Sequence, residues 1–183
     1  MVRSDGMRGW GVSLEALREG RYSTIITHIF AHGGAGHLVM NIGALLPLSG
    51  TVIWASGGFP GNWLRWAAMF LLSGLCGCLL FLLLHSDDGV PMLGASGAIF
   101  GLWGMAARLG VERGSVVPLR SPQVWDATRT AIIVNVVLFT LLFLLTWLLD
   151  AKGGLAWQAH AGGFAFGLLA APWFVRARAL PES

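Results

Sequence analysis

Charged residues are scarce in this sequence, and their scarcity excludes an ordinary water-soluble domain. Asp, Glu, Lys and Arg together make up 11% of the 183 residues, whereas a soluble domain usually carries about 25%. Hydrophobic residues make up 55% of the chain, which is typical of a protein that spans a membrane. The net charge is only +3 and the arginines are spread along the chain, so the sequence lacks the basic patch of a nucleic-acid-binding protein.

Cysteine is equally rare, and its rarity excludes a fold built on disulfides. The two cysteines, Cys76 and Cys78, lie in one apolar stretch. Two residues apart on a helix, they would point to different faces, so they indicate neither a disulfide framework nor a metal site. The first 24 residues also lack the apolar core of a cleavable signal peptide. The membrane assignment therefore depends on the segments that follow.

Five long apolar stretches occupy most of the chain. A helix needs about 20 apolar residues to cross the hydrocarbon core of a bilayer, and inside that core every backbone polar group must be satisfied within the protein. The predicted spans are residues 37–56, 66–84, 92–109, 130–149 and 155–175, of which the third is shorter and rich in Gly and Ala. The expected fold is therefore all-α, a polytopic bundle with five transmembrane helices.

The distribution of arginine gives the bundle an orientation. If residue 37 lies at the outer side of the membrane, Lys152 is the only basic residue left outside in the loops after the first span. This is a strong positive-inside bias. Residues 1–22 are then predicted to form an extramembrane segment, followed by a membrane domain at residues 23–178. The arginines placed on the inner side are Arg65, Arg108, Arg113, Arg120, Arg129, Arg176 and Arg178.

Four polar residues in the predicted spans are candidates for chemistry, because such groups are costly inside a membrane. His37, Asn41, Ser96 and His160 all fall toward the outer side. Ser96 lies among small residues at the predicted start of a helix, where backbone N–H groups can stabilise an oxyanion. A serine hydroxyl becomes a strong nucleophile only when a base takes its proton. Taken alone, this motif is more typical of a close contact between helices.

His160 is the candidate base. Two GxxxG pairs, Gly97 with Gly101 and Gly163 with Gly167, provide small faces that let two helices pack closely. The candidate serine directly precedes the first pair, and His160 lies three residues before the second. Packing these faces together would bring the hydroxyl toward the imidazole. Taken alone, His160 is also compatible with a histidine that is hydrogen-bonded across helices.

Acidic residues are missing from the predicted spans, since Asp87, Asp88 and Asp150 fall in loops. A Ser-His-Asp triad is therefore disfavoured and a Ser-His dyad remains, with packing replacing the orienting role of the Asp. Phe100, one helical turn after the candidate serine, is placed to stack on the ring of His160. Ordinary core packing of Phe100 is compatible with that role.

His37 and Asn41 share a helix face, because they are spaced i, i+4. Both can donate hydrogen bonds, and with the backbone N–H of Ser96 they would suit an oxyanion hole. The two side chains could equally satisfy each other. A zinc site that includes His28 and His32 is disfavoured, because the zinc-protease pattern requires a Glu directly after the first His.

Three motifs taken together resemble the rhomboid family of intramembrane serine proteases over roughly residues 20 to 175. They are His37-Leu-Val-Met-Asn41, Gly94-Ala-Ser-Gly97 followed by Ile99-Phe100-Gly101, and His160-Ala-Gly-Gly163-Phe-Ala-Phe-Gly167. The resemblance implies a six-helix core with Ser96 as nucleophile and His160 as base. It also implies oxyanion roles for His37 and Asn41 and a stacking role for Phe100. Gly163 and Gly167 would be the close-packing glycines of the last helix.

The resemblance implies hydrolysis of peptide bonds in or near the transmembrane helices of membrane-protein substrates, within the lipid bilayer and without metal or cofactor. The family's first helix has no counterpart in the sequence, which predicts an apolar segment further upstream. Brevity and the lack of targeting signals favour a bacterial inner membrane. Two alternatives remain: a non-catalytic rhomboid-like protein that binds membrane proteins, and a transporter fragment with Asn135 and His160 along its path.

Overall fold

The protein is built from helices. Its computed structural model describes residues 9–84, 90–148 and 154–175. The five predicted spans correspond to helices α3 to α7, and the predicted all-α bundle is confirmed. The bounds are α1 Leu14–Arg18, α2 Thr24–Thr27, α3 Ala35–Ala55, α4 Gly61–Leu84, α5 Ser96–Ala106, α6 Pro122–Leu148 and α7 Trp157–Phe174. The acidic residues that the sequence assigns to loops at 87, 88 and 150 lie outside the described residues.

Three of these helices, α3, α4 and α6, are long and apolar enough to cross a membrane. Helix α5 has only 11 residues, which corresponds to about 16 Å and falls short of a hydrocarbon core of about 30 Å. It occupies the middle of the bundle, where α3, α4 and α7 all pack against it. Irregular backbone at membrane depth is tolerated where protein surrounds it, so α5 can begin inside the bundle instead of at its surface.

Glycines bring α5 and α7 into backbone contact. A Cβ atom added at Gly163 would collide with the carbonyl oxygen of Gly97, and one added at Gly167 would collide with that of Gly101. The two GxxxG pairs therefore face each other across one helix–helix contact. Helix α4 joins them on another side, where a Cβ at Gly77 would lie 2.5 Å from the carbonyl oxygen of Ala159. These close approaches fix the separation of the helices that carry Ser96 and His160.

Two arginines hold the end of α3 that lies farthest from residue 37. Arg113 donates from Nε to the carbonyl oxygen of Trp54 and from Nη2 to that of Gly57, both at 2.7 Å. Arg65 donates from Nη1 to the carbonyl oxygen of Ser56, also at 2.7 Å. The last carbonyls of a helix lack intrahelical partners, so these side chains satisfy them. The loop after α5 is thereby attached to the α3–α4 turn.

The chain that leads into α5 is held by residues from the N-terminal part of the protein. Val12 and Met92 exchange two backbone hydrogen bonds of 2.9 and 2.8 Å. The N–H of Gly94 donates to the carbonyl oxygen of His28 at 2.8 Å. The segment predicted to be extramembrane, residues 1–22, thus contributes part of the support for Ser96. Its boundary at residue 22 stays a prediction.

Helix α6 differs from its prediction in where it begins. It starts at Pro122, eight residues before the predicted span, and so includes Asp126 and Arg129 in its first turns. The hydroxyl of Ser121 accepts a hydrogen bond from the N–H of Val124 at 3.4 Å, and proline is favoured at the first position of a helix. Only 6% of its membrane-spanning window is buried, against 39% for α4. Helix α6 therefore lies at the edge of the bundle.

Candidate active site

Ser96 is the first residue of α5, and its half-buried side chain lies inside the bundle. The N-cap residue is Ala95, and within the described part of the chain it makes no side-chain cap. The first backbone N–H groups of a helix such as α5 have no intrahelical partner. Gly94, two residues earlier, has a φ of +123°, a conformation that favours glycine. A Cβ at this position would also lie 2.7 Å from Cε1 of His37. The sequence indicated only that this residue is small, and not that its conformation requires glycine.

The hydroxyl of Ser96 and the imidazole of His160 are in contact. Ser96 Oγ lies 2.8 Å from His160 Nε2, which is hydrogen-bond distance for these atoms. The two residues are 64 positions apart in the chain and meet because α5 and α7 pack along their glycines. His160 is only 2% exposed, so protein surrounds the ring almost completely.

The other ring nitrogen of His160 contacts a residue on α6. His160 Nδ1 lies 2.7 Å from Oδ1 of Asn135. Asn135 Nδ2 donates in turn to the carbonyl oxygen of Ala131 at 2.9 Å. The sequence identifies Asn135 only as a polar residue within a span, which the transporter alternative places along its path. Its contact with His160 was not predicted.

The face of the His160 ring is covered by Phe100. The ring centroids of Phe100 and His160 are 4.3 Å apart, and their planes differ by 6°, so the rings are stacked. Phe100 is itself buried and contacts Trp103, at a centroid distance of 5.3 Å. The stacked ring limits rotation of the imidazole about its side-chain bonds. Two hydrogen bonds and one stacking contact thus fix the orientation of His160.

His37 and Asn41 both approach the backbone just before Ser96. A Cβ built on Gly94 would lie 2.9 Å from His37 Nε2 and 3.6 Å from Asn41 Nδ2. His37 Nδ1 accepts a hydrogen bond from the N–H of Gly33 at 3.4 Å. Asn41 is buried, and its Nδ2 has no hydrogen-bond partner among the residues that the structure describes. Asn41 Nδ2 therefore makes no hydrogen bond to His37. His37 Nε2 and Asn41 Nδ2 both lie near Gly94.

The remaining histidines make local contacts to the backbone. His28 is buried and donates from Nδ1 to the carbonyl oxygen of Thr24 at 3.0 Å. Burial lowers the pKa of His28, and hydrogen bonds to the backbone of Thr24 and Ile25 oppose this shift. His32 donates from Nδ1 to the carbonyl oxygen of Phe30 at 3.2 Å. Within residues 9–84, 90–148 and 154–175, we find no cluster of three His, Cys, Asp or Glu side chains that could hold a metal ion.

An apolar cavity of about 540 Å³ lies beside the candidate base, between α5, α6 and α7. Asn135 and His160 are among its lining residues, and Thr128 lies further along the same face of α6. The rest of the lining is largely aliphatic and aromatic and includes Ile132, Phe139 and Trp157. The Asn135–His160 hydrogen bond therefore lies at the margin of a largely apolar space.

Comparison with known proteins identifies the family of this chain. The family model for the rhomboid domain matches residues 19–177. RHOMBOID-like protein 5 of Arabidopsis thaliana is 36% identical over 88 residues, which cover 48% of this chain and 27% of the plant protein. The chain thus spans about a quarter of the length of that relative. Because the family model covers most of the sequence, the chain belongs to the rhomboid family and is a multi-pass integral membrane protein.

Proposed function

We propose that this protein is an intramembrane serine endopeptidase that cleaves peptide bonds in or near the transmembrane helices of membrane-protein substrates. The observation that carries the proposal is the 2.8 Å contact between Ser96 Oγ and His160 Nε2. Ser96 Oγ attacks the scissile carbonyl carbon while His160 Nε2 takes its proton and then passes that proton to the leaving amine. Water hydrolyses the resulting acyl-enzyme and regenerates the hydroxyl of Ser96.

The tetrahedral intermediate carries a negative oxygen, and we assign three hydrogen-bond donors to it. The backbone N–H of Ser96 is available because α5 begins there. Since Gly33 donates to Nδ1 of His37, a neutral His37 carries its proton on Nε2, which lies toward Gly94. Nδ2 of Asn41 is buried and has no hydrogen-bond partner among the described residues, so it is free to donate. Donors held in place before charge develops contribute the most to stabilising it.

The location of Ser96 within the bundle restricts which substrates can be cleaved. A peptide bond whose amides are engaged in a regular helix is a poor target, because its backbone cannot extend toward the hydroxyl. We therefore expect substrates to have small or helix-breaking residues near the cut. The proposed location is a bacterial inner membrane, a placement that agrees with the positive-inside distribution of arginine.

Replacing Asn41 with Ala tests the oxyanion hole. We expect kcat to fall at least about tenfold with a smaller change in KM, because one lost donor costs about 3 kcal/mol and His37 partly compensates. Asn62→Ala is the matched control, since the side chain of Asn62 accepts a hydrogen bond from the N–H of Trp63 at the start of α4. Steady-state cleavage of a reconstituted substrate measures both variants. If Asn41→Ala and His37→Ala both cleave at the wild-type rate, the oxyanion assignment is wrong.

A fluorophosphonate probe tests the proposed function itself. We expect the probe to modify Ser96 in the membrane-embedded protein, and peptide mass spectrometry to locate the adduct there. His160→Ala should slow labelling strongly, because the hydroxyl then lacks its base. A protein that remains unlabelled while folded, and still binds membrane proteins, would instead fit the non-catalytic rhomboid-like alternative.

A further inference from the structure

We infer that Asn135 is a positioning residue that holds His160 in the tautomer able to accept the proton of Ser96. The effect on catalysis rests on the proposed function, whereas the hydrogen bonds themselves do not. Asn135 Oδ1 lies 2.7 Å from His160 Nδ1, and His160 Nε2 lies 2.8 Å from Ser96 Oγ. The three side chains come from α6, α7 and α5 and form one continuous chain of hydrogen bonds.

The orientation of the Asn135 amide is determined by its second contact. The atom 2.9 Å from the carbonyl oxygen of Ala131 must be the NH₂ group, Nδ2. If the amide were flipped, two oxygen acceptors would face each other at that distance. The atom that faces His160 is therefore Oδ1, which can only accept.

This orientation fixes the position of the proton on the imidazole. Because Asn135 Oδ1 can only accept, His160 Nδ1 must donate and so carries the proton. A neutral imidazole has one proton, which leaves a lone pair on Nε2. Ser96 Oγ–H can then donate to Nε2, the arrangement that general-base catalysis requires. Without the oxygen at position 135 the proton could reside on either nitrogen, and the tautomer with Nε2–H is inactive as a base.

An amide suits this position better than a carboxylate would. The neighbouring cavity is lined by apolar side chains such as Ile132, Val136 and Phe139. A charged residue there is costly, whereas an amide supplies the orienting oxygen without a charge. Among the described residues, the hydrogen-bond partners of the His160 side chain are Ser96 and Asn135. The orienting role that an Asp performs in a triad thus falls to Asn135 together with the stacked Phe100.

The kinetic test replaces Asn135 with Leu, which has similar size and no acceptor. We expect kcat to fall about tenfold to a hundredfold, by analogy with the loss of a partner that orients a metal-ligating histidine. KM should change little, because no substrate contact is lost. Thr128→Val is the matched control, since Thr128 lies on the same helix and cavity and its hydroxyl donates to the carbonyl oxygen of Val124 at 2.7 Å. Its kcat should match that of the wild type.

The tautomer can be measured without any proteolysis. In a Ser96→Ala protein with ¹⁵N-labelled histidine, we expect the nitrogen shifts of His160 to show a proton on Nδ1 and none on Nε2. Adding Asn135→Leu, or Asn135→Ala if the first variant does not fold, should give a mixture of both tautomers. Thermal melting of each variant confirms that the compared proteins are folded.

Two results would overturn the inference. One is a His160 ring protonated on Nε2 while Asn135 is present, and the other is an equal loss of kcat in Asn135→Leu and Thr128→Val. A different result separates this inference from the proposed function. If the wild type neither cleaves nor reacts with fluorophosphonate while His160 carries its proton on Nδ1, proteolysis is refuted and the positioning of His160 by Asn135 is supported.

Discussion

Replacing Ser96 with Ala should abolish proteolysis and leave the protein folded. Among the described residues, the hydroxyl makes one hydrogen bond, to His160 Nε2 at 2.8 Å, so its loss removes the nucleophile and disturbs little packing. His160→Ala should have a similar effect, with each variant losing about 10³-fold or more of kcat. The double variant should be no worse than either single variant, because a nucleophile without its base and a base without its nucleophile are equally inactive.

The measurement is cleavage of a transmembrane substrate by purified protein in liposomes, with thermal melting as the check on folding. Ser121→Ala is the control for serine replacement, since Ser121 lies in the loop before α6 and contacts the N–H of Val124. Chelation with EDTA should leave wild-type cleavage unchanged. Appreciable cleavage by Ser96→Ala would refute the nucleophile assignment, and activity that requires added metal would favour the zinc hypothesis instead.

Valine at Gly163 or Gly167 should lower cleavage by about a hundredfold. A Cβ at either position collides with a backbone carbonyl oxygen of α5, that of Gly97 or Gly101 respectively, so α5 and α7 must separate. A displacement of about 1 Å at a catalytic site can cost a hundredfold in rate. The contact between Ser96 and His160 spans these same two helices, so cleavage should fall further than expression or Tm.

Gly50→Val provides the matched control for the glycine variants. Gly50 lies on α3, and a Cβ added there would meet nothing within 4 Å, so the same change should leave both Tm and kcat near those of the wild type. Initial cleavage rates and melting curves for the three variants distinguish a local effect on the site from general destabilisation. Full activity in Gly163→Val would show that the separation of α5 and α7 does not control the site.

The contact between α5 and α7 was accessible from the sequence because it is encoded locally. Small residues four apart define one face of a helix. Gly97 begins such a face directly after Ser96, and Gly163 begins another three residues after His160. The start of α6 was also readable, since Ser121 followed by Pro122 is a typical helix beginning. We predicted residue 130 instead, because hydropathy marks the apolar length of a span and not the polar turns that extend it.

The contact between Asn135 and His160 could not have been predicted in the same way. Helix α6 is apolar on nearly all sides, so its sequence does not indicate which side faces the bundle. The rotation of α6 that brings Asn135 to His160 depends on packing with α7. Gly94 is a similar case. The sequence shows that the residue is small, but its positive φ depends on the surrounding loop. Local patterns determine the helices and their close contacts, whereas rotation about a helix axis requires the assembled structure.

The length of α6 connects the chemistry of this protein to the thickness of its bilayer. Its 27 residues extend about 40 Å, but the apolar part at residues 130–148 covers only about 28 Å, close to the thickness of about 30 Å of a typical hydrocarbon core. A bilayer thinner than this apolar length favours tilting of the helix, so the tilt changes with the acyl-chain length of the surrounding lipid. Few protein contacts oppose such tilting, since only 6% of the membrane-spanning window of α6 is buried inside the protein. Asn135 moves with the helix, so we expect lipid chain length to alter the fraction of molecules whose His160 is held ready as a base.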